Sequence, residues 1–318
     1  MTLPNKNAIW RVLVTGGAGF IGSRLVRRIE TEWENADVTV IDDFRSGDFK
    51  NLEGFRGEVI AADLSQIDLK QFLQAAGFDA IFHLASITDT RVMDQQKMCW
   101  DNIESFRRLL EFARDRQIPV TYASSAATYG IDGKVNVETD ERKPANVYGF
   151  SKVQLENLAA KYLREPDLAG WKLNAVRFFN VYGPHEQHKG AMASMIYQLY
   201  LQMKAGKNPR VFKSGEQMRD FVHVDDAVEC TLLAMQSAKP GVFNTGSGEA
   251  RSFNDVIAGL NKALNLKLDP EYIDNPFPFF QPFTQADLTR SKTELGYEPK
   301  FNLDSGIAQY VNWLESRL

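Results

Sequence analysis

The chain has 318 residues, 44% of them hydrophobic and 25% charged, with a net charge of -4. That length suits one large α/β unit or two intimately joined domains with a sizeable core. The slight acidity excludes the basic surface that nucleic acid or an anionic membrane requires, so an anionic ligand must be held locally. The N-terminal stretch MTLPNKNAIWRVLV holds no apolar run long enough for a signal peptide, and no later segment approaches a membrane span. A cytoplasmic protein is expected. Cys99 and Cys230 form no CxxC, and the histidines have no metal-ligand spacing beyond His185-x-x-His188, so no metal is expected.

A first strand is predicted over 10–15. It runs into Thr15-Gly-Gly-Ala-Gly-Phe-Ile-Gly22, where Gly16, Gly19 and Gly22 have GxxGxxG spacing and a helix follows to about residue 32. Glycines there permit a tight turn and let a pyrophosphate approach the N–H groups at the helix start, where the dipole favours negative charge. Strand, glycines and helix in that order point to dinucleotide binding. The second strand, 37–42, ends in Asp42 and Asp43, which can accept from the adenosine ribose hydroxyls, as NAD requires. Arg45 and Lys50 follow and offer cations for a 2′-phosphate, which leaves NADP open. After a third strand, 59–62, Asp63 either faces the adenine edge or caps a helix. The fourth strand, 80–84, leads through His83 to Leu84, Ala85 and Ser86. Small residues there let the backbone approach the cofactor, while His83 itself packs in the core.

A helix to about 116 and a strand over 120–124 deliver Tyr122-Ala-Ser-Ser-Ala-Ala-Thr-Tyr-Gly130. Its hydroxyls sit at the carboxyl end of a strand, the edge where open α/β sheets bind ligands. The next helix, 147–162, opens with Tyr148-Gly-Phe-Ser-Lys152, a tyrosine and a lysine one turn apart on one face. A free phenol has a pKa of about 10, so a base near neutrality needs a shift of about three units, or roughly 4 kcal/mol. The Lys152 ammonium supplies part of it. Ser125 can bind the substrate oxygen whose proton Tyr148 handles, and Lys152 can bind the nicotinamide ribose. Alone, the pair is equally an exposed i,i+4 contact and Ser125 a turn cap. The order of glycine loop, serine and YxxxK favours chemistry.

Beyond a strand at 173–177 the pattern breaks into a Gly, Pro and polar segment, 180–190, followed by a helix over 192–205. Segments 221–235 and 242–245 return to the sheet. The fold class is therefore α/β, a doubly wound parallel sheet of Rossmann type with a smaller α/β substrate lobe. Residues 1–178, rejoined by about 220–246, form the NAD(P)-binding domain; 179–219 and 247–318 form the substrate lobe. In the polar segment Lys189 can hold a phosphate, face solvent or carry a proton. Arg219 suits bidentate contact with a diphosphate or an ion pair with Asp220 or Glu216. Phe277, Phe279, Phe280 and Phe283 line a nucleotide pocket or a core.

The motifs TGGAGFIGS, YASSAATYG, NVYGFSK, RFFNVYGPHEQHKGAMAS, RDFVHVDD and QPFTQADLT span the chain. Together they resemble the extended short-chain dehydrogenase/reductase family, and within it the branch of ADP-glyceromanno-heptose 6-epimerases of lipopolysaccharide core synthesis. That resemblance implies a nucleotide-sugar epimerase with tightly held NADP, NAD being the alternative, and a tendency to self-associate. It implies Phe20 and Ile21 on the pyrophosphate, Asn102 and Val181 along the cofactor, and Asn180, Phe212 and Arg219 at the substrate. Ala191, Gln198 and Phe280 fall at substrate positions where the family carries Ser, His and Tyr. Lys189 aligns with a second proton carrier: hydride leaves C6, the ketone rotates about C5–C6, and hydride returns to the opposite face. Tyr148 then serves one epimer and Lys189 the other. A UDP-hexose 4-epimerase shares the Rossmann motifs and is the alternative enzyme. An NADP-binding redox sensor has no need of Ser125, Tyr148 and Lys152 together. Ala126 and Ala127 stand where hexose 4,6-dehydratases carry an Asp-Glu pair, which disfavours dehydration.

Overall fold

The computed structural model describes residues 10–33, 35–73, 77–89, 92, 94–274 and 281–317. The first apolar run forms β1 (Trp10–Thr15), and the amphipathic segment after the glycines forms α1 (Phe20–Glu32). There follow β2 (Ala36–Asp42), β3 (Glu58–Ala61), α2 (Leu69–Phe72), β4 (Ala80–His83), α3 (Gln95–Cys99), α4 (Ser105–Arg114), β5 (Val120–Ser125), β6 (Val135–Asn136), α5 (Val147–Tyr162) and β7 (Leu173–Phe178). The chain continues through β8 (Asn180–Tyr182), α6 (Met195–Lys204), β9 (Arg210–Phe212), β10 (Met218–His223), α7 (Val224–Gln236), β11 (Gly241–Thr245) and β12 (Ala250–Ser252). It ends with α8 (Phe253–Leu264), β13 (Glu271–Ile273), β14 (Gln285–Ala286), α9 (Thr289–Leu295) and α10 (Leu303–Glu315).

Seven strands pair in the order β11-β7-β5-β4-β1-β2-β3, all parallel. Alternation along β1 explains why helices cover both faces. Leu13 packs to one side with Ile81, Val120, Phe106 and Leu155, whereas Val12 and Val14 pack to the other with Phe82, Leu25, Val228 and Leu232. Strand order reverses between β1 and β4, so their carboxyl ends open the crevice in which such sheets bind ligands. A second core gathers Tyr182, Ile196, Leu199, Phe221, Val256, Leu260, Ile307 and Tyr310 from β8, α6, β10, α8 and α10. The three-stranded sheet β12-β10-β8 lies with it.

Two segments differ from expectation. Residues 242–245 do join the large sheet as part of β11, but Phe221 lies in β10 of the small sheet. Residues 224–236 form α7, because Val228, Leu232 and Met235 recur at helical spacing and bury against the large sheet. The helix expected to reach about 116 is interrupted by a π turn at Trp100–Glu104, which carries Asn102. Such turns re-aim side chains at functional sites.

Candidate active site

β1 passes into α1 through Gly16, whose φ is +72° and where a Cβ would lie 2.5 Å from the amide nitrogen of Ala85. At Gly22 a Cβ would lie 2.0 Å from the carbonyl oxygen of Gly16. The loop therefore closes on itself only with glycine at both places. Gly19, the N-cap of α1, supplies no side-chain cap, so the first-turn N–H groups are available to an anion. This cradle fits the pyrophosphate of a dinucleotide. Gly22→Ala is expected to destabilise the fold by about 1–3 kcal/mol and to abolish dinucleotide binding; thermal unfolding and calorimetric titration measure the two effects.

Asp42, buried at the end of β2, accepts from the backbone N–H groups of Ala18 and Phe44, both at 2.9 Å. Burial raises its pKa and those two bonds oppose the rise. Asp43 is exposed and pairs with Arg45 at 2.6 Å. Arg45 also contacts Asp63 and Asp101, and Asp101 pairs with Lys97 at 2.7 Å. Desolvation raises the Asp63 pKa, but hydrogen bonds from Ser65 and the charge of Arg45 outweigh it and hold the carboxyl below its usual value. Asp63 thus caps a local turn and also lines the cavity. Lys50 is exposed and lies outside the cavity wall.

The crevice opens into a cavity of about 990 Å³. Gly16, Gly19, Phe20, Ile21, Gly22, Asp42, Asp43, Asp63, Leu84, Ala85, Ser86, Asn102 and Val181 all line it. Ser125, Tyr148, Lys152, Asn180, Lys189, Phe212 and Arg219 line the same cavity. Asn102 is fully engaged: it accepts from Ile87 N–H at 2.8 Å and donates to Ile87 O at 3.1 Å and Ser151 Oγ at 2.9 Å. It fixes the segment after β4 against α5. His83 is buried, with Nδ1 2.8 Å from Thr15 Oγ1 and its ring stacked on Phe106.

α5 begins at Asn146, whose side chain caps Gly149 N–H at 2.8 Å, so Tyr148 and Lys152 occupy its first turns. Ser125 caps the turn after β5, accepting from Ala127 N–H at 3.1 Å, and also hydrogen-bonds Tyr148. Burial raises the Tyr148 pKa, and the Ser125 bond opposes it. The lowering expected from Lys152 is absent. Its ammonium donates to Ala123 O at 2.9 Å and stands 5.7 Å from the Tyr148 ring centroid. A buried cation takes the nearest carbonyl, and burial lowers Lys152 to about 7.

Lys189 rides on a single turn, Gln187–Met192, and reaches back so that Nζ lies 5.4 Å from the Phe20 ring centroid. Burial lowers its pKa, and the Glu186 carboxylate opposes that shift. Glu186 is itself buried, accepting from Gly183 N–H at 3.1 Å and Ser194 Oγ at 2.8 Å. Sequence reasoning missed it, although it stands three residues before Lys189.

Arg219 forms no ion pair with a described residue. It donates to Met218 O at 2.8 Å, and burial lowers its pKa to about 10. Both carboxylates proposed for it are used elsewhere: Asp220 accepts from Ser247, Gly248 and Ala286, and Glu216 from Ser214 at 2.9 Å. Asn180 donates to Asp220 O at 3.2 Å. Ala191 is exposed and outside the cavity wall, a correction to its expected place at the substrate. Gln198 is also outside, because its amide donates to Gly190 O at 2.6 Å and ties α6 to the Lys189 turn. Phe280, with Phe277 and Phe279, lies outside the described residues, and Phe283 bridges to Met218.

Behind β5 stands a buried ionic pair. Arg177 on β7 donates to Glu156 on α5 at 2.8 and 2.7 Å, and Ser124 Oγ donates to the same carboxylate at 2.6 Å. Glu156 follows Lys152 by four residues on the helix face that carries Tyr148, which is the signal that could have found it.

Residues 12–246 match the NAD dependent epimerase/dehydratase family. The fold is similar to that of ADP-L-glycero-D-manno-heptose-6-epimerase from Helicobacter pylori, with 38% identity, 98% of each chain covered and a TM-score of 0.90. It is also similar to UDP-glucose 4-epimerase from Thermotoga maritima, solved with UDP-glucose (29% identity, 96% of this chain and 99% of that one, TM-score 0.89). A third similar structure is UDP-glucuronic acid 4-epimerase from Bacillus cereus with UDP-glucuronic acid and NAD (26% identity, 97% and 100% covered, TM-score 0.84). With its seven-stranded parallel sheet, glycine cradle and Ser125-Tyr148-Lys152 set, the chain belongs to the NAD dependent epimerase/dehydratase family, among the nucleotide-sugar epimerases.

Proposed function

We propose that the protein interconverts ADP-D-glycero-D-manno-heptose and ADP-L-glycero-D-manno-heptose by inversion at C6, a cytoplasmic step of lipopolysaccharide core synthesis. Lys189 carries this reading: a second proton carrier lies in the same cavity as Tyr148, and burial favours its neutral amine. The glycine loop, Asp42 and Lys152 would hold a nicotinamide cofactor, which would supply hydride acceptance and return at C6. Tyr148 removes the C6 hydroxyl proton of one epimer while Ser125 Oγ holds the same oxygen. Lys189 does so for the other epimer, after rotation about C5–C6 has presented the opposite face. Arg219, a partly buried cation with no carboxylate partner among the described residues, takes the diphosphate. Residues 1–178 with about 220–246 hold the cofactor, and 179–219 with 247–318 hold the sugar nucleotide. Trp100 and Phe150, 49% and 45% exposed, offer apolar surface for self-association. The 38% identity to a protein named for this activity supports the assignment.

For the cofactor we favour NAD over the NADP implied by resemblance. Arg45, the cation nearest the ribose carboxylates, is already shared among Asp43, Asp63 and Asp101, so three carboxylates face two cations, Arg45 and Lys97. A 2′-phosphate would enter a net negative cluster. Calorimetry on the cofactor-free protein is expected to give NAD the tighter binding by about tenfold, or about 1.4 kcal/mol; equal or tighter NADP binding would show that Arg45 leaves the cluster.

Parallel incubations with ADP-D-glycero-D-manno-heptose and UDP-glucose test the substrate. Conversion of the heptose is expected. Conversion of UDP-glucose alone would identify a hexose 4-epimerase instead.

A further inference from the structure

The glycine loop and the turn that carries Lys189 meet through one side chain far from both in sequence. Asn51, 9% exposed, lies on the short turn Phe49–Leu52. Its Nδ2 donates to Ala18 O at 2.9 Å, in the glycine loop, and lies 3.1 Å from His188 Nδ1. Its Oδ1 lies 3.3 Å from His185 Nδ1. Because the amide nitrogen faces a carbonyl, the network assigns its orientation: His188 Nδ1 accepts, and His185 Nδ1 carries the proton and donates. The His188 ring must then be neutral. Burial, joined by Arg24, Arg317 and Arg27, lowers His185 to about 4, and burial also lowers His188, with Lys189 adding to the effect and Asp48 opposing it.

We propose that Asn51 is a positioning residue that fastens the Lys189 turn to the glycine loop, so that one polar joint sets the second proton carrier against the cofactor cradle. Three observations converge on this. Ala18 is pinned from both sides, its N–H by Asp42 and its carbonyl by Asn51 and by Asp48 N–H at 3.1 Å. The Lys189 ammonium lies over Phe20, two residues beyond Ala18. His185 holds a left-handed φ of 76° with its ring against Trp313, a conformation a non-glycine residue keeps only where its surroundings impose it. Glu186 anchors the same turn on its other side, toward α6. Loss of Asn51 frees the cradle side of the turn and leaves the Glu186 side in place. Lys189 then samples positions away from the reacting oxygen.

The proposal rests on Lys189 as the second proton carrier, and the variants Asn51→Ala, His185→Phe and Lys189→Met separate the two claims. Hydrogen exchange is read on the whole protein without substrate. Amides of residues 185–193 in Asn51→Ala are expected to exchange about tenfold faster than in the parent, with those of α5 unchanged. Epimerisation by Asn51→Ala should fall by about tenfold or more, and reduced nicotinamide should build up when one of the two epimers is added. The half-reaction run by Tyr148 continues while the half that needs Lys189 slows. A joint that only held the fold together would slow both halves and leave no such build-up. Parent-like exchange at 185–193, or parent-like epimerisation in Asn51→Ala beside a disabled Lys189→Met, overturns the proposal. A Lys189→Met variant at the parent rate sinks the two-carrier reading instead, and exchange still decides whether Asn51 holds the turn. Should Asn51→Ala not fold, His185→Phe, which keeps the ring on Trp313 but lacks the donor, is judged by the same outcomes.

Discussion

Replacing Tyr148 with Phe is expected to slow epimerisation by about a thousandfold, or about 4 kcal/mol of transition-state stabilisation, within the range for a positioned general acid–base group. The substitution removes one oxygen and its hydrogen bond to Ser125. Lys152 keeps its bond to Ala123 O, and the phenyl ring keeps its place beside the ammonium. Thermal unfolding should therefore change little while turnover collapses. In the cofactor-free protein burial keeps the phenol protonated at neutral pH. A loss smaller than about tenfold would take Tyr148 out of the proton path.

The largest effect on stability is expected at a residue that touches no ligand. Glu156→Ala leaves Arg177, 2% exposed, with a buried uncompensated charge, and should cost about 3–5 kcal/mol by denaturant titration. Ser124 Oγ loses its acceptor in the same step, and Arg142 loses a contact at 3.2 Å. The double variant Glu156→Leu with Arg177→Met should recover most of that stability, because the cost lies in the unpaired charge and not in the absence of a pair. Acidification gives a second signature. Desolvation raises the Glu156 pKa, but Arg177, Ser124 and Arg142 outweigh it, so the folded value is depressed. A depressed carboxylate contributes stability that is present above the unfolded pKa of about 4.3 and is lost as pH falls through the folded value. The parent should therefore lose stability below about pH 4 more steeply than the double variant. Equal slopes would remove Glu156 from the acid response.

Most of the sheet and α5 were legible because their signals are local. The apolar runs of β1 and β5 and the helical spacing of 147–162 do not depend on distant partners. The glycine loop was legible from its spacing, and two of its members are sterically required: Gly16 by its φ of +72° and the approach of Ala85, Gly22 by the Gly16 carbonyl. Ala191 and Gln198, placed at the substrate by resemblance alone, do not line the cavity. Gly190 takes a φ of 53° and turns the chain, leaving Ala191 outward while Gln198 binds the Gly190 carbonyl. Asn51 and the Arg177 partner of Glu156 were invisible for a different reason. Each acts on partners set by the tertiary fold, as when Asn51 meets residues 33, 134 and 137 positions away. Arg45 was seen as a free cation because its partners Asp63 and Asp101 come from the loop after β3 and from the π turn, which only the fold brings together.

The central claim is oxidation and reduction at C6 by one retained hydride, with two side chains moving the proton. ADP-D-glycero-D-manno-heptose carrying deuterium at C6, incubated with the protein in ordinary water and followed by NMR, tests it most directly. The account predicts inversion at C6 with the deuterium still on that carbon and no change at C4. Unchanged heptose, or inversion with loss of the label to solvent, would contradict it.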